Sequence, residues 1–252
     1  MGDDENESNR STPPPSTVAE GYDLLAERAR EADGDLHRAD SPWGDSHFQR
    51  HYSWPATERV LPDVSDERVL LAGCGRGDHV EWFRERGAGV VGVDASAEAI
   101  RTARERFGDV AAFSVADITD SLDFEAGAFD LVFSNLVLSH VEEWTPVFEE
   151  FHRLLSPDGR LVFTTVHPEY LRAGTDANYY EVAEFSNSWP GVEIPTFYRP
   201  IGAIVGALLG ADYRLDAFEE PKPEPEFRDH YPDRYEAAMD APEILVVRAR
   251  RG

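Results

Sequence analysis

Between Glu67 and Phe163, short apolar runs alternate with stretches in which apolar residues recur every three or four positions. Such runs suit strands buried on both faces, and the stretches between them suit amphipathic helices, so the pattern predicts parallel βαβ units. The predicted strands are Arg68 to Ala72, Gly89 to Asp94, Val110 to Val115, Phe129 to Ser134 and Gly159 to Val166. Helices are expected to begin near Asp78, Ser96 and Thr145. Asp78 with Glu81 has the pattern of a capping box, Ser96 suits an N-cap, and Thr145-Pro146 would place proline at the first helical position.

On the N-terminal side, Val18, Tyr22, Leu25 and Ala29 follow helical spacing from Thr17 to Arg30. A second helical stretch runs from Gly44 to Val60, with Pro55 as its expected kink or break. Residues 1–16, MGDDENESNRSTPPPS, carry too little apolar surface to offset the entropy of ordering and read as a disordered acidic tail. From His167 to Pro200 the period is lost, and Tyr, Trp, Phe, Asn, Gly and Pro dominate, which suits a lid or binding loop. Ile201 to Leu209 then reads as a helix, and Tyr213 to Phe218 and Ile244 to Ala249 as strands. The expected division is a helical cover over 17–66, a core over 67–166, a lid over 167–200 and a closing helix and strands over 201–252.

Charge narrows the partners. The chain has 24 basic and 49 acidic residues, a net charge of −25 over 252 residues. Nucleic acid and anionic membrane are poor partners for such a surface, because phosphate binding needs clustered Lys or Arg. Lys222 is the sole lysine and stands between Pro221 and Pro223, which excludes a Gly-Lys-Ser/Thr phosphate loop. Phe218 stands four residues before it, so no Tyr-x-x-x-Lys pair exists either. Many carboxylates with almost no lysine resemble proteins adapted to molar salt, where screening keeps an acidic surface stable. Cys74 is the sole cysteine, so an intrachain disulfide and a multi-cysteine zinc site are excluded. The longest apolar stretch, Ile201 to Leu209, is too short to span a bilayer, and a cytoplasmic protein is expected.

The sharpest local signal is Val69-Leu70-Leu71-Ala72-Gly73-Cys74-Gly75-Arg76-Gly77-Asp78, an apolar strand running into Gly-x-Gly-x-Gly. By itself it suits either a cradle in which a ligand approaches the main chain or a tight strand-to-helix turn. A second strand, Val90-Val91-Gly92-Val93-Asp94, ends in a carboxylate able to accept from the vicinal hydroxyls of a ribose or to cap the next helix. A dinucleotide dehydrogenase would need a third glycine where Asp78 stands. Ala116-Asp117-Ile118 follows the third strand, and Phe129-Asp130-Leu131-Val132-Phe133-Ser134-Asn135-Leu136 forms the fourth.

In this order the motifs resemble the class I S-adenosylmethionine-dependent methyltransferases, in particular the small-molecule type with a methyltransferase-11-like core. The resemblance covers roughly Arg68 to Val166. It implies a Rossmann-like, doubly wound α/β fold with a seven-stranded sheet in the order 3-2-1-4-5-7-6, the last strand antiparallel. It implies S-adenosylmethionine as cofactor, with Gly73, Gly75 and Gly77 against its methionine part and Asp94 on its ribose, Ala95 beside it. Asp117 would accept from the adenine amino group, Ile118 would pack on the ring, and Asn135 and Leu136 would line the methyl donor. One position departs from the family: Leu71 stands where an acid linked to the cofactor's amino group is usual. The implied function is methyl transfer to a small molecule; the alternative is a non-catalytic cofactor-binding regulator or partner subunit.

Methyl transfer from a sulfonium relies on alignment and desolvation, and a base is needed only where the acceptor must lose a proton. His140, after the fourth strand, is the candidate base, or else a hydrogen-bonded histidine at a helix start. Tyr22 and Tyr52 lie in helices that in similar methyltransferases cover the cofactor, so Tyr22 is a candidate cofactor contact and Tyr52 a substrate-side candidate, or either simply packs there. His167, Tyr179 and Tyr198 are the remaining substrate-side candidates. His47 and His51 share a helix face but show no third ligand in the sequence, so no metal site is expected.

Overall fold

The computed structural model describes residues 17–31, 43, 46–173, 175–189 and 192–252; the tail expected over 1–16 and the helix start at Gly44 lie outside them. At its centre is a seven-stranded sheet in the order β3-β2-β1-β4-β5-β9-β8. The strands are β1 (Arg68–Ala72), β2 (Gly89–Asp94), β3 (Ala112–Val115), β4 (Phe129–Asn135), β5 (Leu155–Val166), β8 (Tyr213–Glu219) and β9 (Ile244–Arg251). β1 to β5 pair in parallel, and β9 runs antiparallel between β5 and β8. The expected order holds once the two strands inserted after β5 are set aside.

The central strands of the sheet are buried on both faces, as their continuous apolar runs require, while the edge strands β3 and β8 are largely exposed. One face packs Leu70, Val132, Phe163 and Val247 against α5 (Trp144–Leu154) and α7 (Ile201–Gly210). The other packs Val69, Leu71, Leu131 and Val162 against α3 (Val80–Glu85) and α4 (Ala97–Phe107).

Several element boundaries differ from the sequence expectation for local reasons. β3 begins at Ala112, because the amides of Val110 and Ala111 both turn back to the Phe107 carbonyl at the end of α4. α3 is capped by His79, and the Asp78 carboxylate accepts from Arg106 at 2.5 Å instead of closing a capping box. α5 starts at Trp144, which puts Pro146 third, still within the turn whose amides have no helical acceptor. Ser96 does cap α4, its Oγ accepting from the Ala99 amide at 3.0 Å.

The cover consists of α1 (Val18–Glu31), a widened helical turn over Gln49–Ser53 and α2 (Trp54–Val60). Pro55 has no amide to offer the carbonyl four residues back, and that carbonyl, His51 O, accepts from the Glu224 amide at 2.8 Å. Thr57 Oγ1 meets Thr164 Oγ1 at 2.7 Å and seats α2 on the end of β5. Asp23 of α1 accepts from Ser96 Oγ at 2.6 Å and from the Glu98 amide at 3.1 Å, a carboxylate at the positive end of α4.

The segment expected as an aperiodic lid is ordered into α6 (Pro168–Ala173) and a hairpin of β6 (Ala183–Trp189) and β7 (Val192–Tyr198). Val192 and Ile194 bury against Leu25 and Ala26 of α1, so cover and hairpin share a small core of their own. Two short helices absent from the sequence reading, α8 (Phe227–His230) and α9 (Pro232–Asp240), pack Phe227 and Ala238 with Tyr52 and Val60. Among the described residues, no helix is long and apolar enough to cross a membrane.

Candidate active site

A cavity of about 990 Å³ opens at the carboxyl ends of the parallel strands, roofed by α1, the 49–53 turn and the hairpin. This is where a doubly wound sheet leaves a crevice for a ligand.

The glycine loop forms its floor. Gly73 has φ +77°, and a Cβ there would come within 2.3 Å of Val137. Gly75 has φ +53°, and its Cβ would come within 2.9 Å of the Trp43 ring. Both line the cavity, so the main chain approaches whatever occupies it without a side chain between. Gly77 does not line it; this glycine packs under Phe107 at the end of α4.

Asp94 ends β2 with Oδ2 accepting from the Gly75 amide at 2.8 Å and Oδ1 from the Ser96 amide at 2.9 Å. Burial raises its pKa and those two amides oppose the rise. A carboxylate has about four acceptor directions, so two remain for a ligand on the cavity side. Ala95, Asp117 and Ile118 continue this wall. Asp117 is exposed, and its Oδ1 accepts from the amide and hydroxyl of Thr119.

Asn135 and Leu136 end β4. Leu136 sits at φ +58°, a conformation that a branched residue adopts at a cost of about 1–3 kcal/mol and that recurs at ligand sites. The side-chain amide of Asn135 donates to Gln49 Oε1 at 3.0 Å, while its Oδ1 is buried with no hydrogen-bond partner. An orphaned buried acceptor in a cavity wall calls for a donor from the occupant.

Tyr22 and His140 meet across the mouth. His140 Nδ1 lies 2.8 Å from the Pro195 carbonyl, which can only accept, so Nδ1 carries the proton. Nε2 therefore presents its lone pair to Tyr22 Oη at 3.0 Å. Burial lowers the His140 pKa and keeps the ring neutral; burial and the Asp94 charge raise that of Tyr22.

Four substrate-side expectations do not line the cavity. Tyr52 is buried in the cover and its hydroxyl accepts from the Glu243 amide at 3.1 Å. His167 is buried behind β5, with Nε2 2.9 Å from Glu220. Tyr198 is buried and donates to the carbonyl of Tyr179, whose own ring faces outward, half exposed. In their places stand Tyr170, Phe185, Thr196 and an Arg234–Glu243 pair at 2.7 Å. Sequence reasoning also missed His79 and Gln49 in the cavity wall. His79 had a signal, its place directly after the glycine loop, whereas Gln49 had none. His230, far along the chain, supplies the third histidine beside His47 and His51.

Known proteins agree with this geometry. Residues 70–163 match the family model described as a methyltransferase domain. A ubiquinone biosynthesis O-methyltransferase of Neisseria meningitidis is 32% identical over 170 residues, 61% of this chain and 70% of that protein. The chain belongs to the S-adenosylmethionine-dependent methyltransferases. A malonyl-[acyl-carrier protein] O-methyltransferase of Enterobacter lignolyticus is 32% identical over 130 residues, so the chain spans about half the length of that relative, 51%. The crystal structure of an S-adenosylmethionine-dependent methyltransferase from Mesorhizobium loti is 28% identical with a TM-score of 0.66, over 79% of this methyltransferase and 97% of that chain.

The cavity fits the cofactor. It offers bare glycine backbone, a carboxylate with free acceptor directions and an orphaned amide oxygen to a ligand rich in N–H and O–H donors. Leu71, at the position where family members carry an acid, is buried in the core beneath the loop and offers the cavity nothing. Asp78 and Asn135 are polar groups in the wall instead.

Proposed function

We propose that this methyltransferase transfers the methyl group of S-adenosylmethionine to a hydroxyl oxygen of a small molecule. When bound, the cofactor supplies an activated methyl carbon on a sulfonium. The chain's task is then to orient the acceptor, exclude water and take up one proton. The observation carrying the reading is the neutral His140, held by Pro195 with its lone pair directed to the Tyr22 hydroxyl at the cavity mouth.

In this reading Asp94 receives the ribose hydroxyls, Asp117 the adenine amino group, and Ile118 packs on the ring. Asn135 Oδ1 and Asp78 take the place of the absent acid at Leu71 for the amino group. Tyr22 passes its proton to His140 Nε2 as it accepts the one leaving the acceptor hydroxyl, and the Pro195 carbonyl steadies the imidazolium that results. Tyr170, Phe185 and the Arg234–Glu243 pair form the acceptor's walls, apolar and polar surface that suits a small molecule rather than a polymer. The O-methyltransferase relatives support the same reading.

The test is turnover with a panel of hydroxyl, carboxyl, amine and thiol acceptors, read by mass spectrometry. With the best hydroxyl acceptor, His140→Gln and Tyr22→Phe should each lower kcat by about 10²-fold, while cofactor affinity at His140→Gln changes less than threefold. Unchanged kcat in both variants would remove the proton relay. Tight cofactor binding with no methylation of any panel member or lysate metabolite would favour the non-catalytic regulator.

A further inference from the structure

The methyl transfer leaves a cluster of three histidines unused. His47 and His51 lie one turn apart where the chain leads into α2, and His230 ends α8. Their rings form a stack: His47 and His230 have centroids 3.4 Å apart at 12°, His51 and His230 5.3 Å at 24°, His47 and His51 5.9 Å at 18°. One ring nitrogen from each can be chosen so that all three lie within 4.8 Å of one another.

Nitrogens bound tetrahedrally at about 2.0–2.1 Å from an ion stand roughly 3.3 Å apart, so small side-chain rotations close the gap. His230 is exposed at the end of the short helix α8, whereas His47 and His51 are half-buried on a turn fixed by α2 and by the Glu224 amide on the His51 carbonyl. Two ligands are thus held by the fold, and the third already lies against them. The carboxylates of Glu226 and Asp229 lie within electrostatic reach of His51, where they offset the nearby Arg50 guanidinium.

We infer that His47, His51 and His230 form a binding site for a borderline divalent transition metal such as zinc(II), nickel(II) or cobalt(II). Imidazole nitrogen selects these ions over magnesium and calcium, which prefer oxygen. The three protein ligands leave coordination positions for water. None of the three histidines lines the cavity, so the site is separate from the methyl-transfer site. Its position does give the ion a structural consequence, because Phe48 and Gln49, between the two helical ligands, line the cavity. An ion bridging this turn to α8 fixes one cavity wall from outside.

The test uses the full chain, purified without a histidine tag and stripped with a chelator, titrated calorimetrically with zinc chloride and spectroscopically with cobalt(II). One equivalent should bind with a Kd of about 10 μM or tighter, and the cobalt complex should show visible ligand-field absorption. His230→Asn and His51→Asn should each weaken binding at least about tenfold and alter that spectrum. Substituting the exposed His230 should leave the metal-free thermal midpoint unchanged, which separates a lost ligand from a lost fold. Saturating zinc should raise the wild-type midpoint and leave that of His230→Asn where it was. No saturable uptake at about 100 μM zinc, equal affinity in wild type and His230→Asn, or equal competition by magnesium would each overturn the site. Every readout is independent of the methyl-transfer reading.

Discussion

The two walls of the cavity are built in different ways. The cofactor wall is local: Gly73, Gly75, Asp94, Asp117 and Asn135 each sit at or just after the end of a strand, and the strand register brings them together. The acceptor wall is assembled across the chain, with contacts between Tyr22 and His140, Gln49 and Asn135, and Tyr52 and Glu243 spanning 118, 86 and 191 positions. A wall set by sheet register varies little, because a slip would bury polar groups on both faces of the sheet. A wall set by side chains on added helices and a hairpin is free to differ between family members. The proposed function accordingly assigns cofactor binding to the first wall and acceptor choice to the second.

The largest expected effect tests whether the cofactor wall is as local as it looks. Asp94→Ala removes the proposed ribose acceptor and also the partner of the Gly75 and Ser96 amides, so the glycine loop loses its tie to β2. Hydrogen bonds to a charged group contribute about 1.5–3 kcal/mol each, so S-adenosylmethionine affinity should fall by 10²-fold or more. Asp117→Ala, which touches no amide of the glycine loop, should cost about tenfold. Calorimetry giving equal losses, or tighter binding of NAD than of the sulfonium, would break the assignment.

This division also explains what was legible in the sequence. The strands and the glycine loop could be read because their signals, apolar runs and positive-φ glycines, are encoded within a few residues of where they act. His140 could be placed at the mouth for the same reason, as it follows β4. Tyr52 in the cover and His167, Tyr179 and Tyr198 in the lid segment do not line the cavity, and the sequence could not show it, because an aromatic or histidine there carries no mark of which way it faces. The hairpin was read as an aperiodic lid because its edges alternate polar and aromatic residues with Gly and Pro. α8 and α9 were missed in a proline-rich stretch whose helices are held by Tyr52 and Val60, far away in sequence. Asp78 matched a capping-box pattern but found Arg106, a tertiary partner that outweighs a local one.

A second experiment uses the group that bridges the walls. His79 touches Asn135 on one side at 3.5 Å and the Trp54 ring of the cover on the other, with centroids 4.5 Å apart. Burial holds its pKa down to about 4, against 6.5 for an ordinary histidine, with Asp78 opposing. Between those values the unfolded chain binds a proton that the folded chain refuses, so stability falls as pH drops from 6.5 towards 4. Allowing for partial solvent access, the loss is about 2 kcal/mol. Denaturant unfolding at pH 7 and pH 4.5 should show that His79→Gln loses less stability than wild type by about that amount. Carboxylates titrate in both proteins, so the difference between them isolates His79. Equal losses would mean that the imidazole is solvated and the two walls are not joined there.

The smallest effect concerns salt, and it separates the walls directly. A net charge of −25 makes the compact state repel itself at low ionic strength, and at 1 M salt the Debye length falls to about 3 Å, which removes most of that repulsion. Stability should therefore rise as KCl goes from millimolar to molar, but not evenly. The central strands β1 and β4 are hydrogen-bonded on both sides and buried, so their amides exchange only when the whole domain opens. The hairpin β6–β7 has only two strands, with exposed Glu184 and Glu193 along it, and is seated by a small apolar cluster and a few side-chain bonds. Such an element opens locally, and the repulsion it carries should govern how often. Hydrogen exchange across a KCl series should show the core amides slowing with global stability and the hairpin amides slowing by the smaller share of it that local opening carries, about tenfold less. Uniform slowing would place the salt response in the global fold and leave the hairpin as firmly held as the sheet. No slowing anywhere would mean that the acidic surface is ordinary, with the difference between the walls resting on topology alone.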